Sequence, residues 1–263
     1  MRDVGQLLID EIDGIVILRL SNPQRRNAIS TSMWEALAAF AQDLNSRPSI
    51  RVVVLRGDGV STFSAGADIS QFGEQRSDKS QGKQYDELVE NACRMFEAIA
   101  QPTVAVVRGP CIGAGISIAA SCDLILAAQD SFFAVPAAKL GLGYDPRGVE
   151  RFLRVFGLPA TRGLLYTAGR LSAERAYTLG FVHTLVECGR FDEAVAEIVR
   201  GIAVNAPLTL RAAKTAIRAL SGGRDADLLA QANRLAEAAD GSADYAEGRR
   251  AFAQKRTPHF FAN

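Results

Sequence analysis

The chain has 263 residues, of which 48% are hydrophobic and 22% are charged, and its formal net charge is +1. This length is sufficient for one large domain, or for a domain with an appendage, around a substantial buried core. The near-zero net charge gives no global reason to expect a nucleic-acid partner or an anionic membrane surface.

Cysteine and histidine are scarce, which argues against metal and redox sites. The cysteines show no CxxC spacing and fall in apolar stretches, so we expect buried, reduced thiols. They are Cys93, Cys111, Cys122 and Cys188. His183 and His259 provide little for a zinc site or a Ser–His–Asp triad. The N-terminal segment lacks the basic and apolar regions of a signal peptide, and no uncharged apolar run reaches the ~18 residues of a membrane span, so we expect a cytoplasmic protein.

The first quarter of the chain begins with alternating apolar and polar residues around Asp13-Gly14, which predict a β-hairpin over 7–20. An amphipathic helix is predicted over 30–44, with Ser30 as a candidate N-cap. The apolar run RVVVLR predicts a buried strand over 51–56. The polar segment 73–84 is typical of a mobile surface loop.

Beyond this loop, strands and helices alternate. The predicted elements are a helix over 85–100, a strand over 102–108, a glycine-rich turn over 109–115, a buried helix over 116–121, strands over 123–128 and 131–135, helices over 148–156, 161–166 and 172–179, and a strand over 181–186. From residue 191 the pattern is helical. The order predicts an α/β fold of repeated ββα units, and we divide the chain into a core over 1–200 and a helical region over 201–263.

Several short motifs follow one another in a fixed order. They are Asn22-Pro23 with Asn27-Ala28, the segment FSAGADI over 63–69, QPTVA over 101–105 with GPCIGAG over 109–115, CDL over 122–124, Pro136 with LGL over 140–142, SAERA over 172–176, GFV over 180–182, and Phe252 with KRTP over 255–258. In order and spacing they resemble the crotonase, or enoyl-CoA hydratase/isomerase, superfamily nearly from end to end.

The resemblance implies a crotonase-like spiral of ββα units with a C-terminal helical tail that assembles as trimers or as a dimer of trimers. It implies an acyl-CoA substrate, with coenzyme A as part of that substrate and no permanently bound cofactor. It implies no nucleic-acid or membrane partner. An RNA-associated relative is disfavoured because the helix over 30–44 contains no lysine or arginine.

By resemblance, the backbone amides of Ala67 and Ala114 form an oxyanion hole for a thioester enolate. The residue types support this role independently. Small residues over 64–67 and 113–115 allow the backbone to approach a ligand closely. The second segment also leads into a helix, whose N-terminal amides favour developing negative charge. The plainer alternative is that these glycines only make turns.

The resemblance also implies contacts with coenzyme A. Ala65, Asp68 and Ile69 would line the path of the adenine and pantetheine groups. Arg25, Arg26 and Lys255 would approach the phosphates, and Phe260 of the tail would reach the ligand across a subunit interface. Solvated surface charge and simple tail packing remain the alternatives for the basic residues and for the aromatic one.

The chain departs from the family pattern where hydratases carry two glutamates, because those positions are Ser117 and Ala137. Neither residue can act as a general acid or base near neutral pH, so hydration by the family mechanism is not expected. Tyr144 occupies the position of a site tyrosine in methylmalonyl-CoA decarboxylases. Asp145 lies where dienoyl-CoA isomerases carry an aspartate for proton transfer, although an Asp-Pro turn is an equally natural role.

We therefore expect a lyase or isomerase that acts on an acyl-CoA thioester, most simply a decarboxylase, because decarboxylation needs an oxyanion hole but no base. Two alternatives stay open. One is a hydratase with nonstandard acid and base residues, and the other is a non-catalytic acyl-CoA binder that kept the fold after losing both acids.

Overall fold

The computed structural model describes residues 5–75 and 78–261. The first two strands, β1 (Gln6–Ile12) and β2 (Ile15–Ser21), pair antiparallel with Ile12 opposite Ile15, which confirms the predicted hairpin. Asp13 and Gly14 form the turn with positive φ angles of 50° and 75°, a conformation that Gly and Asp tolerate better than most residues.

Two sheets organise the rest of the described chain. The remaining strands are β3 (Val52–Gly57), β4 (Thr103–Val107), β5 (Pro110–Ile112), β6 (Leu124–Ala128), β7 (Phe132–Ala134), β8 (Arg170–Ser172) and β9 (Thr184–Val186). The larger sheet has the order β1-β2-β3-β4-β6-β9 and is parallel from β2 onward, whereas β5, β7 and β8 form a smaller sheet. The parallel strands are almost continuously apolar because both of their faces are covered.

Helices cover both faces of the larger sheet. They are α1 (Thr31–Asp43), α2 (Phe72–Gln75), α3 (Lys79–Glu97), α4 (Ala114–Ala119), α5 (Pro146–Thr167), α6 (Ala173–Thr178), α7 (Phe191–Ala203), α8 (Pro207–Ser221), α9 (Ala226–Asp240) and α10 (Ala243–Ala253). In the described part of the chain, none of them is both long and apolar enough for a transmembrane segment. The α/β class and the helical C-terminal region are therefore confirmed.

The core has two layers, one on each face of the sheet. On one face, α1 and α3 bury Trp34, Leu37 and Phe96. On the other face, α7 buries Phe191 and Val195 against the valines of β3 and β4. Because α7 belongs to this second layer and spans residue 200, the predicted boundary there falls inside a packed helix. The division into 1–200 and 201–263 stays a prediction.

The segment predicted as a mobile loop over 73–84 is largely helical. It contains part of α2 and the first turns of α3, which begins at Lys79 rather than at Tyr85, while residues 76 and 77 lie outside the described residues. The Asp78 side chain caps α3 by accepting a hydrogen bond from the Gln81 amide. Polarity indicated a loop, but lysine and glutamine are also good helix formers on an exposed face.

Other differences are local. The last strand of the sheet is shorter than predicted, and β8 was not predicted at all. The prediction of buried thiols is right for Cys93 and Cys111, but Cys122 is half-buried and Cys188 is exposed. Cys188 begins a 3-10 turn that leads from β9 into α7, which leaves its side chain at the surface.

A buried lysine attaches the helical tail to the sheet. The Lys214 ammonium of α8 donates to the Gln101 carbonyl at 2.9 Å and pairs with Asp123 at 2.7 Å. The same carboxylate oxygen of Asp123 accepts hydrogen bonds from the amide and hydroxyl of Thr103. Burial lowers the pKa of Lys214, so these partners are what allow a charged group to remain here.

We expect Lys214→Met to lower the free energy of unfolding by about 2 kcal/mol, because it leaves the partly buried Asp123 carboxylate without its cation. Urea denaturation followed by circular dichroism measures this change. The exposed Lys139→Met is the matched control and should stay within about 0.5 kcal/mol of the parent. Equal stability of both variants would show that α8 does not depend on this charge.

Candidate active site

Two backbone segments meet beyond the carboxyl ends of β3 and β4. The Ser64 amide donates to the Pro110 carbonyl at 3.1 Å, and the Ile112 amide donates to the Ser64 carbonyl at 3.0 Å. These bonds join the FSAGADI segment to the glycine-rich turn as if they were neighbouring strands. The two segments that the sequence suggested for an oxyanion hole are therefore in direct contact.

A pair of buried asparagines supports the first of these segments. The Asn22 amide group donates to the Ala28 carbonyl, and the Asn27 amide group donates to the carbonyls of both Asp58 and Thr62, each at 2.9 Å. These bonds satisfy carbonyls of the loop that leads into Phe63. The Asn-Pro and Asn-Ala motif of the sequence thus has a structural role beneath the site.

The amides of Ala67 and Ala114 are the candidate oxyanion donors. Around Ala67, the Ile29 amide donates to the Gly66 carbonyl and the Asp68 amide donates to the Ile29 carbonyl. In a parallel bridge with these two bonds, the Ala67 N–H faces away from residue 29. Ala114 is the first residue of α4, where an N–H has no intrahelical acceptor. Within residues 5–75 and 78–261, neither N–H has a hydrogen-bond acceptor.

Gly66 shows how closely the two segments approach each other. Its φ is +106°, and a Cβ atom at this position would lie 3.2 Å from the Ile112 carbonyl oxygen and 3.9 Å from the Ala114 nitrogen. A larger residue would therefore be strained and would press on the second segment. Glycine lets the Ala67 and Ala114 amides border one space.

That space is a cavity of about 150 Å³ with a mostly apolar lining, and both alanines line it. From α3 the lining includes Val89 and Glu90, and from α2 it includes Phe72. Tyr85 of α3 also lines the cavity. Residues 73 and 78–84, whose side chains the structure describes, do not line the cavity.

Both positions where hydratases carry glutamates face this cavity. Ser117 lies on the second turn of α4, and Ala137 lies in the 3-10 turn that follows β7. The cavity wall is therefore uncharged at both points where water activation and proton delivery would be needed.

Tyr144 points its hydroxyl towards Ser117. The two oxygens are 3.1 Å apart, and the tyrosine ring packs on Phe152 with centroids 5.3 Å apart. Burial raises the pKa of the Tyr144 hydroxyl well above its usual range. Tyr144 therefore stays protonated and serves as a neutral hydrogen-bond donor in the cavity.

Asp145 is engaged by its own helix. It is the N-cap of α5, where Oδ1 accepts hydrogen bonds from the backbone amide and Nε of Arg147 and Oδ2 accepts one from Nη2. Side-chain hydrogen bonding from Arg147 lowers the pKa of Asp145. A carboxylate held in this way is a poor base, so the structure favours the turn role over proton transfer.

The residues expected to contact coenzyme A fall into two groups. Ala65 and Ile69 line the cavity, and Ile69 is 64% exposed at its mouth. Asp68 is 7% exposed and forms an ion pair with Arg25 at 2.8 Å. Arg26 is exposed, and its carbonyl accepts a hydrogen bond from Ala65. The Arg25 charge is thus partly balanced within the chain, whereas Arg26 stays available to a phosphate.

Lys255 and Phe260 lie apart from the cavity in this chain. Lys255 is exposed just beyond α10. The Phe260 ring approaches Gly248 of α10, and its carbonyl accepts a hydrogen bond from Arg51 at 2.7 Å. Tail packing accounts for Phe260 within the chain, and a contact across a subunit interface stays a prediction for both residues.

The sequence did not single out Glu90. This α3 residue is only 8% exposed, lines the cavity and forms two hydrogen bonds with Arg151 of α5. Its position three residues before buried Cys93 places it beside the apolar face of α3, which was the available signal. Its partner Arg151 lies 61 residues away in sequence, so the local sequence pattern could not predict this ion pair.

Residues 10–263 match the model of a protein family described as "Enoyl-CoA hydratase/isomerase". The chain belongs to the enoyl-CoA hydratase/isomerase family. A crystal structure of an enoyl-CoA hydratase/carnithine racemase from Magnetospirillum magneticum is similar at 33% identity, with a TM-score of 0.90 and coverage of 100% of this chain and 97% of that one. The crotonase resemblance and the crotonase-like fold are thereby confirmed.

Relatives within the enoyl-CoA hydratase/isomerase family carry different activities in their names. Methylmalonyl-CoA decarboxylase of Escherichia coli is 29% identical over 252 residues, which cover 95% of each chain. Short-chain-enoyl-CoA hydratase of Clostridium acetobutylicum is 26% identical over 262 residues, which cover 99% of each chain. Because lyase and hydratase relatives are similar at comparable levels, the reaction must be argued from the site itself.

We expect Asp145→Ala to destabilise the protein by about 1 kcal/mol at neutral pH through loss of the α5 cap. The folded-state pKa of Asp145 is lowered, so its stabilisation is present above the unfolded pKa and is lost as the pH falls through the folded value. Thermal unfolding of parent and variant at neutral pH and at about pH 3 measures this. A difference that persists undiminished in acid would contradict the assignment of Asp145 as an ionised cap.

Proposed function

We propose that this family member decarboxylates a 2-carboxyacyl-CoA thioester of the malonyl or methylmalonyl type. The observation that carries the proposal is the composition of one cavity. Two acceptor-free amides, at Ala67 and Ala114, border the same space as Ser117 and Ala137, which are neutral where hydratases are acidic.

Decarboxylation matches this chemistry. The bond between the α-carbon and the carboxylate breaks, carbon dioxide leaves, and the electron pair moves into the thioester to give an enolate. Two N–H donors directed at the enolate oxygen stabilise the charge that develops there, and removal of one such donor typically costs about 10²–10³ in rate. The enolate then takes a proton at its α-carbon. The breaking of the carbon–carbon bond requires no base, which suits a site with neutral residues at positions 117 and 137.

The same geometry disfavours the alternatives. Hydration needs carboxylates to activate water and deliver a proton, and neither position 117 nor position 137 provides one. An isomerase would need a proton shuttle, and Asp145 is bound by Arg147 through both of its oxygens. A non-catalytic acyl-CoA binder remains as an outcome of the experiment below.

Tyr144 provides the protic group of the proposed site. Its hydroxyl and that of Ser117 are 3.1 Å apart, so the pair can hold the substrate carboxylate out of the thioester plane, where the breaking bond overlaps the carbonyl π system. The raised pKa keeps the Tyr144 hydroxyl neutral, which avoids repulsion of that carboxylate. The relative named methylmalonyl-CoA decarboxylase adds support from outside the site.

Self-association as a trimer or a dimer of trimers belongs to the same proposal. The tail exposes Ile217 and Leu220 on α8, and Phe252 on α10 is 87% exposed. Large apolar side chains left in water on helices of this kind are typical of subunit interfaces. Assembly would also let Lys255 and Phe260 of one subunit approach coenzyme A bound to the next.

The proposal predicts turnover of malonyl-CoA or methylmalonyl-CoA, with release of carbon dioxide, and no hydration of crotonyl-CoA. Chromatography of the CoA products and a coupled bicarbonate assay measure these reactions. Turnover of crotonyl-CoA to the 3-hydroxy product would overturn it in favour of a hydratase. Tight CoA binding without turnover of any thioester, including a 3-enoyl-CoA, would instead identify a binder.

We expect Tyr144→Phe to lower kcat at least tenfold, about 1.4 kcal/mol, because a hydrogen bond to the substrate carboxylate is lost. Tyr166→Phe, at a tyrosine that is 77% exposed, is the matched control and should leave kcat unchanged. Because the pKa of Tyr144 is raised, the parent should show no loss of kcat from this group between about pH 6 and pH 9. Unchanged turnover in Tyr144→Phe would remove this tyrosine from the mechanism.

A further inference from the structure

A buried ion pair lies in the wall between the candidate site and a second cavity. Glu90 of α3 and Arg151 of α5 are 8% and 5% exposed, and their two hydrogen bonds measure 3.1 and 2.8 Å. The Nε of Arg151 also donates to Glu97 at 2.6 Å. The second cavity, of about 270 Å³, is lined almost entirely by charged residues, and Glu90 lines both cavities.

Gly148 brings this pair against Tyr144. A Cβ atom at position 148 would lie 2.9 Å from Cε1 of the Tyr144 ring and 3.5 Å from Oε1 of Glu90. The Tyr144 ring and the Glu90 carboxylate therefore both lie close to the Cα of Gly148, which carries no side chain, in the first turn of α5. The ring also packs on Phe152, the residue that follows Arg151.

Stability alone does not account for this arrangement. A buried ion pair seldom adds net stability over apolar side chains of similar volume, because desolvation of both charges offsets their attraction. The contact between α3 and α5 could therefore be made by apolar residues, as it is around Phe96 and Phe152. The charged contact occurs where the wall meets Tyr144.

We propose that Glu90, held by Arg151, is a positioning residue that fixes the Tyr144 ring so that its hydroxyl stays directed at Ser117 and at the substrate. The inference rests on the proposed function for its kinetic test. The paired Oε1 of Glu90 limits how far the ring can move towards α3, and Phe152 limits its movement in the other direction. Glu90 acts through Tyr144 and not on the substrate itself.

The test is a double-mutant cycle with Glu90→Gln and Tyr144→Phe. The variant Glu90→Gln should fold, because glutamine keeps one acceptor for Arg151 and Arg151 keeps Glu97. We expect it to lower kcat about fivefold or more while KM changes less than about twofold. In the Tyr144→Phe background the same change should have almost no further effect on kcat, because its target is gone.

Glu87→Gln is the matched control. Glu87 precedes Glu90 by one helical turn and joins α3 to α5 through an ion pair with Arg147 at 2.9 Å. Its side chain is 57% exposed, and it lines the charged cavity but not the candidate active site. It should leave kcat unchanged. Independent, additive losses from Glu90→Gln and Tyr144→Phe would overturn the proposal, since a merely structural role predicts additivity.

Nuclear magnetic resonance of tyrosine labelled in the ring separates this inference from the proposed function. In Glu90→Gln the Tyr144 ring signals should shift or broaden, whereas in Glu87→Gln they should match those of the parent. If the parent turns over none of the thioesters, the proposed function fails and the spectra still test the positioning role. Unchanged Tyr144 signals in Glu90→Gln would overturn the inference whatever the activity.

Discussion

The site depends on two N–H groups that the fold leaves without acceptors. Almost all buried backbone donors in proteins are paired, so an unpaired N–H beside an apolar cavity marks a place where a ligand atom is expected. Here the cost of each is kept low by position, because Ala114 begins a helix and Ala67 lies on the outer side of a single bridge. The bonds between Ser64, Pro110 and Ile112 then hold the two donors in register. Catalysis by such donors requires that they be oriented before the substrate arrives, and this backbone network provides that orientation.

The two positions where hydratases carry glutamates are neutral in this chain, and this has a chemical consequence. With serine at 117 and alanine at 137, the wall can bind a charge that develops on an oxygen, but it cannot supply or remove a proton through a carboxylate at these points. The carboxylates of Glu90 and Asp145, which also line the cavity, are engaged by Arg151 and Arg147. The chain shares its fold with hydratases, but function resides in a few positions and not in the spiral itself, and positions 117 and 137 are where this chain departs from the hydratase pattern.

The parts of the site that sequence could predict are those that local rules determine. Small residues over 64–67 and 113–115 allow close backbone approach wherever they occur, and together with the family resemblance they indicated both candidate donor segments, whose catalytic role stays a prediction. Asp145 was ambiguous because an aspartate before proline serves equally as a helix cap or as an acid, and only the contacts of Arg147 decide between them. The helical start of α3 was mistaken for a loop because its residues are polar throughout. Glu90 could not be predicted because its burial depends on α5, which lies far away along the chain.

The inability to predict Glu90 from the sequence concerns what holds the Tyr144 side chain in place. The candidate donors are fixed by backbone bonds, which any sequence with the right glycines can make, whereas Tyr144 is held by side chains, among them Ser117 of α4 and Phe152 of α5. Phe152 packs on the ring, and both the ring and Oε1 of Glu90 lie close to Gly148. An apolar contact on the Glu90 side could slide, whereas a bidentate ion pair allows one geometry.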